Sequence, residues 1–174
     1  MAGAPAGLTL KHHRDLEGRE HRPWTRRVLI ALLTAVLGAG LLGAFGQQPS
    51  STAAGSAEAG LEVRAPARLR SGLYFETRIT VEAVSELERA ALVLDPGWLD
   101  GITVNTVEPA PIGEASRDGR LVLELGRVPA GGRHVLYLHM QVNPTTVGRR
   151  QADVVLEDDG RELARADRTL TVWP

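Results

Sequence analysis

The feature that most constrains this chain is an uninterrupted apolar segment, residues 28–46, which contains no charged side chain. An α-helix rises about 1.5 Å per residue, so a segment of this length covers roughly the 30 Å hydrocarbon core of a bilayer. We therefore predict a single transmembrane helix at 28–46. It divides the chain into a short N-terminal tail, 1–27, and a long C-terminal part.

Basic residues lie on only one side of this segment. Arg22, Arg26 and Arg27 precede it, whereas no basic residue follows it until Arg64. The positive-inside rule places the N-terminus in the cytoplasm, and Trp24 suits the aromatic belt at the membrane interface. Arg22, Trp24, Arg26 and Arg27 are thus candidate interface anchors. The predicted location is the cell membrane, with one span and the C-terminal part outside the cytoplasm.

Two export alternatives stay open at this point. A cleaved signal normally has an apolar region of about 7 to 15 residues with a small-x-small site close behind it. Here the nearest Ala-x-Ala is 57–59, far downstream. Residues 25–30 (TRRVLI) also resemble a twin-arginine export signal. Every alternative places the C-terminal part outside the cytoplasm.

Small residues recur every fourth position in the apolar segment, at Ala31, Ala35, Ala39 and Gly43. Such a stripe lets two helix backbones approach closely and is a candidate helix-packing face. The alternative is that the stripe only reflects a segment rich in Ala and Gly. The predicted partners are therefore the lipid bilayer and another membrane or cell-envelope protein.

Composition excludes several classes of function and defines two further segments. The chain has no cysteine, which excludes disulfides, thiolate metal sites and thiol catalysis. Residues 61–174 carry 14 arginines against 17 acidic residues, a net charge of −3 that provides no basic surface of the kind nucleic-acid binding requires.

The polar tail 1–27 is predicted to be a disordered cytoplasmic tail, and the Ser-, Ala- and Gly-rich segment 47–60 a flexible linker.

The remaining segment, 61–174, has the pattern of a β-domain. Side chains alternate between apolar and polar in 73–82 and in 133–143, which predicts half-buried strands. The residues predicted to face the core are Leu73, Phe75, Thr77, Ile79 and Val81 in the first run and Leu136, Leu138, Met140 and Val142 in the second. Further strands are predicted near 61–66, 87–95, 101–108, 120–125, 150–157 and 165–173. Turn signals at 95–97, 118–119, 130–132, 143–144 and 159–160 separate them. The fold class is therefore all-β, an antiparallel immunoglobulin-like sandwich that follows one transmembrane helix.

Few side chains in this domain suggest chemistry. His134 and His139 are five residues apart on one strand and point to opposite faces, and no Gly-x-Ser-x-Gly occurs. We predict that the protein is not an enzyme and has no catalytic residues, cofactor or metal. The acidic segment 157–160 (EDDG) is either a hairpin turn or a calcium-binding loop. Trp98, between Asp95 and Asp100, either contacts a partner from its loop or closes the end of the sandwich.

A family resemblance covers most of the domain. Residues 125–132 (LGRVPAGG), then Val135, Leu138, 142–144 (VNP) and Gly148, resemble the second half of bacterial immunoglobulin-like surface repeats. Residues 71–72, 74–84, 92–95 and 101–102 resemble the first half, although 80–85 (TVEAVS) departs from the usual Asn-containing pattern. The resemblance implies an interaction or spacer module without catalytic residues. One repeat on one membrane helix is also similar to small actinobacterial membrane proteins of unknown function.

Two classes of function follow from these observations. The first is a membrane-anchored extracytoplasmic interaction or structural module, for example an accessory subunit of another membrane protein. The alternative is an extracytoplasmic module that binds a small-molecule ligand or carbohydrate through the loops at one end of the sandwich.

Overall fold

The computed structural model describes residues 22–43 and 47–174, which form a helix and a β-sandwich as two separate compact units. Helix α1 spans Arg22–Leu41. Its segment Trp24–Leu41 has a mean hydropathy of 1.4, so it is long and apolar enough to cross a membrane; cleavable signal sequences share these properties. Residues 1–21 of the predicted tail 1–27, and residues 44–46, lie outside the described residues.

The helix lies nearer the N-terminus than the hydropathy pattern predicts. It begins at Arg22 rather than at residue 28, so the candidate anchors Arg22, Trp24, Arg26 and Arg27 belong to its first turns. The amide of Gly43 donates to the carbonyl of Gly40, and Gly43 has a φ of 76°. This left-handed conformation ends helices, and glycine adopts it without steric cost. Ala31, Ala35 and Ala39 are therefore helical, whereas Gly43 lies two residues beyond the end of the helix; the packing face itself stays a prediction.

Thirteen strands follow in the described part of the chain. In chain order they are β1 (Pro49–Gly55), β2 (Ala59–Pro66), β3 (Arg68–Arg70), β4 (Tyr74–Ala83), β5 (Leu87–Leu94), β6 (Ile102–Glu108), β7 (Gly113–Arg117), β8 (Arg120–Val128), β9 (Arg133–Val142), β10 (Gly148–Gln151), β11 (Val154–Asp158), β12 (Arg161–Ala166) and β13 (Thr169–Trp173). A short 3-10 helix, Pro96–Trp98, lies between β5 and β6.

The strands form two main sheets and one small sheet. The first main sheet has the order β1-β2-β4-β9-β6 and the second has the order β12-β11-β5-β8-β7; all pairings in both are antiparallel. In the small sheet, β10-β13-β3, the pairing of β13 with β3 is parallel. The fold class is confirmed: an apolar N-terminal helix precedes a mostly antiparallel β-sandwich.

The core lies between the two main sheets, and the two alternating runs contribute to it as predicted. The buried members of these runs are Phe75, Thr77, Ile79, Val81, Leu136, Leu138, Met140 and Val142. Leu73 is the exception. It precedes the first residue of β4 and is 42% exposed, because the facing sheet does not cover the end of the strand.

The flexible linker predicted at 47–60 is wrong. Strand β1 pairs with β2 along its whole length, from Pro49 opposite Pro66 to Gly55 opposite Gly60. The amide of Ser56 donates to the carbonyl of Ala59 at 2.8 Å and closes the hairpin. Small side chains of low β-propensity gave no strand signal here. The conformation comes from main-chain pairing to β2, which is a tertiary effect.

Three other differences concern short strands. The prediction contains neither β3 nor β7, because three to five polar residues show no clear alternation. The run predicted at 150–157 corresponds to β10 and β11, and that at 165–173 to β12 and β13. The members of each pair belong to different sheets. In each case the chain leaves one sheet and enters another at a two-residue break, 152–153 and 167–168.

Candidate functional site

A notch opens in the first sheet where two neighbouring strands separate. Strands β2 and β4 pair only as far as Arg64 opposite Arg78. Beyond this point β2 continues beside β1 to Pro66, while the first residues of β4 pair only with β9. The resulting cavity has a volume of about 340 Å³, and Arg64, Arg78, Pro66 and Tyr137 are among its lining residues. We call it the β2–β4 notch.

Two arginines lie side by side in this notch. Arg64 and Arg78 are direct cross-strand partners, so both side chains emerge on the outer face of the sheet. Like charges in this position repel each other. Neither arginine forms an ion pair with any residue of the described ranges. The guanidinium carbon of Arg78 lies 5.8 Å from the ring centroid of Tyr137, which is a cation–π distance.

Polar atoms in the notch are left without partners. Nε of Arg78 and Nε2 of Gln47 are shielded from solvent and form no hydrogen bond within the described part of the chain. Both residues line the notch. The lining also contains one carboxylate, Glu76, whose Oε2 lies 4.0 Å from Nδ1 of His139. The notch therefore contains unsatisfied donors and a net positive charge.

A second basic surface lies on the small sheet. Arg149, Thr171 and Arg68 are aligned across β10, β13 and β3, and Arg70 lies beside Trp173. The three arginines are exposed, and Trp173 is 52% exposed. None of the three forms an ion pair with a described residue. We call Arg68, Arg70, Arg149, Thr171 and Trp173 the arginine–tryptophan surface.

The other arginines of the domain are engaged. Those paired with a carboxylate are Arg89, Arg117, Arg120, Arg127, Arg133, Arg150, Arg161 and Arg165. Arg168 instead donates to main-chain carbonyls and hydroxyls of β1 and β2. In the described part of the domain, the arginine side chains with neither a carboxylate partner nor a hydrogen-bond acceptor therefore lie in the notch and on the arginine–tryptophan surface, although the domain as a whole is weakly acidic.

The acidic segment 157–160 forms the turn between β11 and β12. Asp159 and Gly160 have φ values of 50° and 79°, which are typical of a two-residue hairpin turn. Asp158 accepts a hydrogen bond from the amide of Arg89 at 2.8 Å, and Glu157 accepts one from Arg117 at 2.6 Å. The structure thus shows the turn alternative. Nowhere in 22–43 or 47–174 do three or more metal-ligating side chains come together.

Trp98 closes the core instead of contacting a partner. It ends the 3-10 helix between β5 and β6, a connection that passes from one main sheet to the other, and it is 1% exposed. Of the two alternatives for Trp98, the structure shows the second. His134 and His139 lie on opposite faces of β9, and partial burial lowers the pKa of the His134 imidazole.

Sequence reasoning singled out none of the residues in either basic surface. Arg64 and Arg78 do occupy polar positions of predicted strands, but fourteen residues separate them and only the register of β2 with β4 makes them neighbours. Arg68 and Arg149 meet through β13, which pairs with a strand that the sequence did not predict. The available signal was local: residues 63–75 and residues 125–152 contain three and four arginines, respectively, and no acidic residue.

Comparison with known proteins finds only distant structural similarity. No protein-family model matches the sequence, and no curated protein matches it either. Among solved structures, CaCohA2 from Clostridium acetobutylicum is similar with 16% identity and a TM-score of 0.44, over 64% of this chain and 88% of that one. A non-cellulosomal cohesin from Archaeoglobus fulgidus has 14% identity and a TM-score of 0.39, over 72% and 92%.

A CARDB domain from Pyrococcus furiosus, solved in complex with di-metal ions, has 12% identity and a TM-score of 0.39, over 72% of this chain and 89% of that one. The similarity to cohesin and CARDB-like domains is therefore distant and concerns the β-sandwich. The sandwich that the resemblance to immunoglobulin-like surface repeats implies is present in the structure, and membership of that family stays a prediction.

Proposed function

We propose that this protein is a non-enzymatic interaction module, anchored at the outer face of the cell membrane, whose arginine–tryptophan surface binds an acidic segment of another envelope protein. One observation carries the proposal. Three exposed arginines without ion-pair partners in the described chain share one face of a hydrogen-bonded sheet with a half-exposed tryptophan. Arginine and tryptophan are enriched among the residues that contribute most to protein binding.

The charge of this surface defines the chemistry of the partner. Unpaired guanidinium groups attract carboxylates at long range and form bidentate hydrogen bonds with them at contact. Trp173 supplies apolar area that becomes buried when a partner binds. Association should therefore weaken as the salt concentration rises, because exposed charges are screened. The carbohydrate alternative uses loops at one end of the sandwich, and Trp98, the aromatic side chain of the loop between β5 and β6, is buried and offers no ring for a sugar to stack on.

Charge reversal tests the binding surface. A photo-crosslinking residue at Thr171 of the full-length chain should link, in native membranes, to an acidic envelope protein that mass spectrometry identifies. The double variant Arg68→Glu, Arg149→Glu should reduce the crosslinked yield at least about tenfold, since each reversed charge replaces attraction by repulsion.

The matched control is Arg127→Glu, Arg133→Glu, which makes the same change in net charge at exposed sites elsewhere. It should leave the crosslink unchanged. A crosslink of equal yield in the parent and in both double variants would refute this role for the surface, as would a partner without an acidic surface.

Membrane topology has its own test. Because the chain contains no cysteine, single substitutions can be labelled without background. We expect a membrane-impermeant maleimide to label Ser116→Cys, an exposed position on β7, in intact spheroplasts. Thr9→Cys, in the N-terminal tail, should react only after permeabilisation. The opposite pattern would reverse the orientation, and release of labelled Ser116→Cys into the medium would show that the helix is a cleaved signal.

A further inference from the structure

We propose that the β2–β4 notch is an oxyanion site that binds a phosphate group through Arg64 and Arg78. The site is distinct from the arginine–tryptophan surface and does not depend on a protein partner. Two guanidinium groups on directly paired residues repel each other. A bound dianion between them turns this repulsion into two favourable interactions.

The donors present favour phosphate over a single carboxylate. Each guanidinium offers its N–H groups in a planar fork, and the two oxygens of one carboxylate form a bidentate pair with one fork at a time. Phosphate carries more acceptor oxygens and more charge, so it can accept hydrogen bonds from both forks at once. The unpartnered Nε of Arg78 and Nε2 of Gln47 are additional donors on the same cavity.

The walls of the notch restrict Arg78 and are partly apolar. Contact with the ring of Tyr137 limits the conformations of Arg78, so less entropy is lost when a ligand binds. Pro66 and Phe75 form apolar walls, and Pro66 offers no competing amide donor. Apolar walls strengthen charge–charge attraction inside the cavity.

Glu76 should weaken the binding of an oxyanion in the notch, which gives the site a second testable property. Its carboxylate lines the same cavity and repels an oxyanion; its Oε2 lies 4.0 Å from Nδ1 of His139 on β9. Removing this negative charge should therefore tighten phosphate binding, while removing either arginine weakens it. A cavity that only traps solvent would show no such pair of opposite effects.

Two sources of phosphate are consistent with this chemistry. One is inorganic phosphate or a soluble phosphate ester. The other is a lipid headgroup, since Gln47, which lines the notch, follows the last described residue of the helical unit by only four positions in the chain. The experiment therefore has one arm for each source.

Calorimetric titration of the full-length chain in maltoside micelles, which contain no phosphate, tests the site. The first arm titrates sodium phosphate at constant ionic strength. The second titrates dihexanoyl phosphatidic acid against dihexanoylglycerol, which lacks the phosphate. We expect saturable binding in at least one arm. Binding of the lipid alone assigns the headgroup as the source, and comparable binding in both arms assigns the phosphate group itself.

Variants locate the binding. Arg64→Gln and Arg78→Gln should each weaken phosphate binding at least tenfold, and Glu76→Gln should strengthen it severalfold. The control Arg127→Gln removes one exposed arginine of the other main sheet, outside both basic surfaces, and should bind like the parent. Circular dichroism should show that Arg64→Gln is as stable as the parent, since the change removes a like-charge contact. Absence of saturable binding to the parent in both arms would overturn the proposal, as would equal weakening by Arg127→Gln.

Discussion

Replacement of Trp98 by alanine is expected to lower the free energy of unfolding of the β-domain by about 4 kcal/mol. Trp98 is among the largest fully buried side chains and belongs to the main core cluster. Truncation removes its apolar contacts and leaves a cavity that the surrounding strands fill only in part. Because whole domains are stable by only about 5 to 15 kcal/mol, this loss is a large fraction of the total.

The cavity should not collapse easily, because the backbone of this loop is fixed. A Cβ atom at Gly97 would lie only 1.8 Å from the carbonyl oxygen of Gln151, so the 3-10 helix packs directly against β10. Small adjustments of the loop cannot bring other side chains into the space that the indole vacates. The loss in the free energy of unfolding should therefore lie in the upper part of the range that is usual for aromatic-to-alanine substitutions in protein cores.

Trp173 provides the control, since it makes the same chemical change at a half-exposed position. We expect Trp173→Ala to cost less than about 1 kcal/mol. Urea unfolding followed by far-ultraviolet circular dichroism is the appropriate measurement, because both variants alter tryptophan fluorescence. Equal costs for the two substitutions would show that Trp98 does not close the core in the way described.

Replacement of Arg168 by methionine should cost about 3 kcal/mol and should loosen strand β1 first. Arg168 is 7% exposed and lies between β12 and β13. Its guanidinium donates to both strands of the N-terminal hairpin. The acceptors are the carbonyl oxygens of Ser50, Val63 and Ala65 and the hydroxyl oxygens of Ser50 and Thr52, at 2.7 to 3.1 Å.

The physical reason is the number of hydrogen bonds to one charged group. Burial lowers the pKa of Arg168, and the carbonyl dipoles around it offset the cost of a charge without a carboxylate beside its guanidinium. The Asp153 carboxylate accepts from its main-chain amide at 2.9 Å and fixes the backbone. Methionine fills much of the volume but donates nothing, so buried oxygens lose their partners.

Hydrogen exchange distinguishes this local effect from general destabilisation. The amides of residues 50–54 should exchange much faster in Arg168→Met than in the parent, because β1 is an edge strand whose ladder partner is β2 alone. Arg168→Lys should be intermediate, since a single ammonium group cannot reproduce the planar fork. Arg161→Met, which removes an exposed contact with Glu58, should cost less than about 1 kcal/mol. Unchanged exchange in β1 of Arg168→Met would contradict this role.

Strong periodicity made the two long core strands predictable. The alternating runs in β4 and β9 bury the residues expected of them, because a period of two leaves one face apolar wherever the strand is covered on one side only. The hairpin turns at Asp118-Gly119 and Asp159-Gly160 were also predictable from the sequence, because the left-handed conformation of these turns favours Asp and Gly.

Strand β1 could not be predicted from its local sequence. Its sequence, PSSTAAG, carries no hydrophobic alternation, and its composition is that of a spacer. It is a strand because β2 offers a free edge and because Arg168, more than a hundred residues away in the chain, binds its main chain. Neither cause is visible in a local window of sequence.

The sequence by itself therefore determined the order of the parts: an apolar helix first and a sandwich of alternating strands after it. These are local properties, set by hydropathy and by a period of two. The tertiary structure decided which strands are neighbours, and with that which side chains meet. Register brings Arg64 beside Arg78 and strand β13 brings Arg149 toward Arg68, so both candidate binding surfaces exist only through pairings between residues distant in the chain.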